Sequence, residues 1–195
     1  MSIPYAIEQA ISCRSRPRWH RLLIPIAALA TTALAINLLG WLGWRVNWTE
    51  SEPLGLYRLL PVTANSRIVR GERAEFCPPA TVTPQAFPFY MKVKGDCPGG
   101  GMPMFKQIVG LPGDRITVTP QAVTINGKTL PHSGQLPGSP SFPEVHLPHQ
   151  HGVFTLGPDQ FWMYGSGDRP ALAAQSFDSR YWGPITRNDI RRITG

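Results

Sequence analysis

The run FKQIVGLPGDRITVTPQAVTING, Phe105 to Gly127, decides the fold. Phe105 to Val109, Arg115 to Val118 and Ala122 to Ile125 are short stretches rich in β-branched residues. Gly113-Asp114 and Asn126-Gly127 fall between and after them, where the chain must reverse. Branched side chains suit a pleated surface, and Asn-Gly suits the tight turn of an antiparallel hairpin. The spacing therefore predicts antiparallel strands in close succession. The same stretch sets Lys106 among Met104, Phe105, Ile108 and Val109. An amine in apolar company loses affinity for its proton, so Lys106 is a candidate base.

Strand character returns at Val153 to Leu156 and at Gln160 to Tyr164. Ser66 to Phe76 reads as extended chain around a turn at Gly71. Residues 78–90 are Pro-rich and read as irregular, and 131–152, with five prolines and four histidines, reads as a surface loop. Charged residues make up only 16% of the chain, against 21 prolines and 19 glycines. That balance fits a mainly β protein with long loops. Neither repeats nor heptads appear, so residues 44–195 are predicted to form one antiparallel β domain.

Residues 22–43, LLIPIAALATTALAINLLGWLG, contain no ionisable side chain. At helical rise they span about 33 Å, enough for a bilayer core of about 30 Å. Ala33-Leu34-Ala35 resembles a cleavage site, but the apolar run continues well beyond it and exceeds a usual signal core. An uncleaved anchor is the better reading. Arg14, Arg16, Arg18 and Arg21 precede the segment, and Trp41, Trp44 and Trp48 mark its far end. Residues 1–21 are thus predicted to form a cytoplasmic basic tail, with residues 44–195 exported. The net charge of +7 is otherwise spread singly, without a basic stripe or a known nucleic-acid module. Membrane lipid, not nucleic acid, is the expected partner of that charge.

Shortly after the anchor the chain reads Thr49-Glu50-Ser51-Glu52-Pro53-Leu54-Gly55-Leu56-Tyr57. A serine hydroxyl needs a base before it attacks a carbonyl, and a neutral lysine can be that base. Alone, a surface serine and an edge-strand lysine would be the plainer reading. Their company changes the reading. Lys106-x-x-Val109-Gly110-x-Pro112-Gly113-Asp114, followed by Ile125-Asn126-Gly127, resembles the general-base box of the type I signal peptidases. Gly167-Asp168-Arg169 and Ser176-Phe177-Asp178-Ser179-Arg180-Tyr181-Trp182-Gly183 resemble that family's last box, although Asp168 stands further from Ser176 than in leader peptidases.

Within that superfamily the chain is most similar to the TraF peptidases of conjugative transfer. The nucleophile box is Ser-x-Pro-x-Gly-Leu-Tyr, and Cys77-Pro78-Pro79 and Cys97-Pro98-Gly99 resemble the paired TraF cysteine boxes. The resemblance implies Ser51 as nucleophile and Lys106 as general base. It implies that Thr49 helps the backbone N–H of Ser51 bind the oxyanion, a donor typically worth about 2.7–4 kcal/mol. Ser176 would orient the lysine ammonium. Asp178 and Arg180 would brace the site, an ordinary ion pair being the alternative.

Cys77 and Cys97 lie in the part predicted to be exported, while Cys13 lies in the basic tail. A Cys77–Cys97 bridge would contribute roughly 3 kcal/mol by closing its loop, and two free buried thiols are the alternative. His146, His149 and His151 lack acidic or cysteine partners at ligand spacing, so neither metal nor cofactor is expected. Gly99-Gly100-Gly101 lacks the Gly-Lys-Ser/Thr of a phosphate cradle and reads as a turn. The expected function is a membrane-anchored serine endopeptidase of signal peptidase type at the bacterial inner membrane, its catalytic domain in the periplasm. The resemblance implies maturation of a pilin precursor or other exported protein for conjugative type IV secretion. It also implies that an amine can intercept the acyl-enzyme and close a pilin into a ring. A general leader peptidase, or an inactive anchored β module with an assembly role, are the rival readings.

Overall fold

The structure, a computed structural model, describes residues 19–90, 95–167 and 169–195. Residues 1–18 of the basic tail, with Cys13, and Asp168 of the last box lie outside the described residues, while 19–21 belong to a helix. The chain divides into two units, Met1–Trp41 and Leu42–Gly195.

In the first unit, helix α1 spans Trp19–Trp41, and its part Leu23–Trp41 has a mean hydropathy of 1.9. That is long and apolar enough to cross a membrane. The helix starts earlier than the anticipated 22–43, and Pro25 stands inside it. It also ends earlier. Leu42 and Gly43 form a turn, and Gly43 adopts φ +91°, which a glycine takes without steric cost. A Cβ there would stand 2.3 Å from the carbonyl oxygen of Leu59. Trp44 begins the first strand.

The second unit is mainly β. Its strands are β1 (Trp44–Asn47), β2 (Gly55–Pro61), β3 (Arg73–Phe76), β4 (Met104–Gly110), β5 (Arg115–Val118), β6 (Val123–Ile125) and β7 (Lys128–Thr129). They continue with β8 (Gly138–Ser139), β9 (Phe142–His146), β10 (Gly152–Thr155), β11 (Gln160–Tyr164), β12 (Ile185–Thr186) and β13 (Ile190–Thr194). Two short helices, α2 (Pro170–Gln175) and α3 (Ser179–Trp182), follow β11. A seven-stranded sheet runs β1-β2-β13-β3-β4-β11-β12, a four-stranded one β10-β5-β6-β7, and β8 pairs with β9. Every pairing is antiparallel.

Asn126 (φ 51°) and Gly127 (φ 82°) make the anticipated turn between β6 and β7. The hairpin β8–β9 lies within the stretch 131–152 that was read as pure loop. Its prolines masked the short paired segments. Ser66 to Val69 are not strand; only Arg73–Phe76 pairs. One apolar cluster gathers Ala74, Phe76, Ile108, Met163 and Ile193 from β3, β4, β11 and β13. A second gathers Val109, Ile116, Val123, Leu156 and Trp162. Neighbouring residues of β4, Ile108 and Val109, serve different clusters because side chains alternate across a strand. Lys106 shares the face of Ile108, which carries it into the interior.

Candidate active site

Lys106 lies in β4, between β3, where it pairs with Ala74, and β11. It is only 5% exposed. Its Nζ donates a hydrogen bond to Oγ of Ser176 at 2.8 Å. Burial pushes the amine down to about 8. The carboxylates of Asp178 and Glu52 pull the other way, while the Arg180 guanidinium adds to the depression. Near neutral pH such an amine is neutral in part of the molecules, as a base must be.

Ser51 sits on the turn between β1 and β2, half-buried. Asn47, the last residue of β1, organises this turn. Its Nδ2 lies 3.0 Å from the carbonyl oxygens of Thr49, Glu52 and Pro53. Its Oδ1 accepts from the Thr49 hydroxyl (2.7 Å) and backbone N–H (3.2 Å). The Thr49 hydroxyl proton is therefore committed to Asn47 in this state. Tyr57 closes the far side, donating to the carbonyl of Pro53 at 2.8 Å and meeting Phe105 edge-on. The carbonyl of Ser51 accepts from the backbone N–H of Gly167 at 3.0 Å, which ties the turn to the segment after β11.

Ser51, Lys106 and Ser176 line one cleft of about 390 Å³. Among the described residues, Ser51 Oγ makes no hydrogen bond, and the Lys106 amine faces Ser176. The cleft continues into an apolar wall that includes Phe89, Met104, Leu172 and Phe177. Phe89 and Phe177 meet edge-on at 5.0 Å. An extended peptide can lie along such a trough, with apolar side chains against the wall and its carbonyl near Ser51.

Below Ser176 lies an ion pair with no solvent contact. Asp178 and Arg180 are both 0% exposed, 2.8 Å apart. Asp178 caps α3 by accepting from the Arg180 backbone N–H, and it accepts from the Gly165 N–H at 2.9 Å. Arg180 also donates to the carbonyls of His132, Gly134, Ala173 and Ser176. A buried pair is tolerated only with its remaining groups satisfied, and here they are. Arg180 thereby fixes the main chain on both sides of Ser176.

Cys77 and Cys97 are joined by a disulfide, with Cα atoms 5.4 Å apart. Phe89 and Tyr90 of the cleft wall belong to the loop so closed. Of the three glycines read as a turn, Gly101 packs under the Tyr90 ring, where a Cβ would stand 2.2 Å away, and Gly99 faces the carbonyl of Val82. Close approach explains those two, while Gly100 has open space and takes φ +80°. Asp114 of the lysine box is structural: it accepts from the Leu111 N–H, Asn126 and Arg70. Burial would raise its carboxyl, but these partners hold it below the usual range. His149 and His151 are ring neighbours at 6.0 Å, and the described residues contain no cluster of metal-ligating side chains.

Two residues of the site escaped the sequence reading, Asn47 and Glu52. Asn47 carried a weak signal, an amide shortly before Pro53 and Gly55. Glu52 carried none, because its burial depends on partners far along the chain.

The family model described as signal peptidase, peptidase S26, matches residues 16–193. The chain is 32% identical over 175 residues to a plasmid transfer protein TraF of Escherichia coli, covering 89% of this chain and 93% of that one. It is 35% identical over 172 residues to a conjugal transfer protein TraF of Agrobacterium tumefaciens (strain 15955), covering 87% and 90%. A solved signal peptidase I of Enterococcus faecalis is 18% identical, with a TM-score of 0.33 over 64% of this chain and 94% of that one.

Proposed function

The chain belongs to the signal peptidase family, peptidase S26, and from that premise we propose a membrane-anchored serine endopeptidase that matures an exported precursor for conjugal transfer. One observation carries the reading: a lysine amine only 5% exposed opens on the cleft that also holds Ser51. In the proposed reaction the Lys106 amine turns from Ser176 and takes the Ser51 proton as Oγ attacks the scissile carbonyl. The tetrahedral oxyanion is met by the backbone N–H of Ser51 and by Thr49 once its hydroxyl leaves Asn47. Lys106 then protonates the departing amine, leaving an ester on Ser51. Water, deprotonated by Lys106, hydrolyses that ester and restores the serine. An amine in place of water yields a new peptide bond, the route by which a pilin chain would be closed into a ring.

Ser176, Asp178 and Arg180 act in this reading by holding Lys106 in place. Leu23–Trp41 serves as a single-pass anchor in the bacterial inner membrane, with residues after it in the periplasm. The precursor and membrane lipid are the partners, together with components of the conjugation machinery. Mass spectrometry of the exported proteins of the host, with and without this chain, tests the function. A precursor trimmed or cyclised only when the chain is present is expected. An unchanged set of exported proteins contradicts it.

A further inference from the structure

Directly after Ser51 stands a carboxylate with no solvent contact: Glu52 is 0% exposed. Its Oε1 accepts from the backbone N–H groups of Gln107 (3.2 Å) and Ser166 (2.9 Å). Its Oε2 accepts from Nε of Arg73 (2.8 Å) and the hydroxyl of Ser166 (2.7 Å). These donors come from β3, from β4 and from the segment leaving β11. One of them, Gln107, is the residue next to Lys106. Burying a carboxylate is costly even when it is paired, and an apolar side chain would hold a turn against a sheet without that cost. The arrangement is therefore more specific than packing requires.

We propose that Glu52 is a positioning residue for Ser51 and Lys106, pinning the serine-bearing turn to β3, to the residue next to Lys106 on β4 and to the segment after β11. The proposal rests on the reading of Ser51 as nucleophile and Lys106 as base. Every group that faces the amine enters its effect. Burial lowers the proton affinity of Lys106, Asp178 and Glu52 raise it, and Arg180 lowers it. Arg73 is paired with Glu52 at 2.8 Å, and Tyr164 on β11, itself pushed up to about 12 by burial, stays neutral. Glu52 thus opposes the depression of Lys106 while its four hydrogen bonds set where Ser51 stands.

The test uses the full chain in detergent, as parent, Glu52→Gln and Ser166→Ala. Carbon-13 NMR of the lysine Cε, with four lysines in the chain, follows Lys106 directly and needs no substrate. Amide exchange at Gly167, which donates to the Ser51 carbonyl, reports whether the turn has come loose. In Glu52→Gln, Lys106 should titrate at lower pH than in the parent and Gly167 should exchange faster. On a precursor that the parent cleaves, kcat should fall on the order of 10²-fold, the usual cost of a small misplacement, with KM near the parent's. The acid limb of the pH–rate profile should move to lower pH. Ser166→Ala keeps the charge, so its limb should stay in place while kcat falls about tenfold, as for one hydrogen bond to a charged group.

An unchanged Lys106 titration with parent-like Gly167 exchange in Glu52→Gln overturns the proposal, whatever happens to activity. If that variant does not fold, a parent-like kcat in Ser166→Ala overturns it instead. A parent that cleaves nothing counts against the functional reading alone, and the titration and exchange still decide the role of Glu52.

Discussion

A Cβ placed on Gly165 would stand 1.8 Å from Oγ of Ser176 and 3.2 Å from Nζ of Lys106. The lysine and serine meet because the residue above them has no side chain. Gly165 also donates its N–H to Asp178, so its backbone cannot retreat without breaking that bond.

Gly165→Ala should therefore displace Ser176 and loosen Lys106. Activity should fall on the order of 10²-fold, and overpacking should cost about 1–3 kcal/mol. Ser176→Gly in the same chain removes the clashing hydroxyl and should restore most of the stability without the activity. Thermal melts and rates of the two singles and the double check this. A double mutant as unstable as the sum of the singles would contradict the clash.

Lys106 couples pH to stability. Its folded value of about 8 lies below its ordinary 10.5, so the charged form is the one the fold disfavours. Above about 10.5 both folded and unfolded chains hold it neutral, and no penalty arises. As pH falls from there to about 8 the penalty grows, and below about 8 it is present in full, on the order of 3 kcal/mol. Lys106→Met should remove it, so the variant should melt higher than the parent at pH 7 and gain nothing at pH 11. Parent activity should rise with pH through about 8. Lys106→Arg keeps its charge and should be both inactive and less stable.

The strands from β4 to β6 could be read from sequence because branched residues and Asn126-Gly127 are local signals. β13 could not. Ile190-Arg191-Arg192-Ile193-Thr194 carries two arginines in five residues, yet it lies between β2 and β3. Arg192 escapes the core by pairing with Glu75, and Arg191 by pairing with Asp96. Those partners are remote in sequence, so nothing local marks the strand. Glu52 was hidden for the same reason: it is held by Arg73, Gln107 and Ser166, all distant along the chain. Ser51, Lys106, Ser176, Asp178 and Arg180 stood out through their ordered boxes. Their hydrogen-bond pattern, with Lys106 on Ser176, emerges only from the fold.

The Cys77–Cys97 disulfide closes the loop that carries Phe89 and Tyr90 to the cleft. Replacing both cysteines by serine should cost roughly 3 kcal/mol in the chain-entropy description. Activity should fall with it, since the apolar wall of the cleft is no longer tied. Peptide mapping without reduction should recover the linked pair from the parent. Recovery of alkylated Cys77 and Cys97 before reduction would contradict it.

Arg180→Lys should be far from conservative. A lysine offers three donors, while Arg180 serves four carbonyls and Asp178. Leaving part of a buried charge network unpaired typically costs about 3–5 kcal/mol. Denaturant unfolding of the solubilised chain measures it. A change below about 1 kcal/mol would show that the pair is not what fixes Ser176.

The central claim, attack by Ser51 with Lys106 as base, is met most directly by cleavage of a purified precursor by the parent, Ser51→Ala, Lys106→Ala and the double variant. Each variant is first shown by its thermal melt to be folded. Either single change should abolish product, and the double should be no worse than the singles, because the two groups act in one step. Rapid acid quench of the parent should also trap precursor acyl on Ser51, found by mass in the peptide that carries it. Parent-like cleavage by Ser51→Ala or by Lys106→Ala, or an acyl group recovered on another residue, would contradict the assignment.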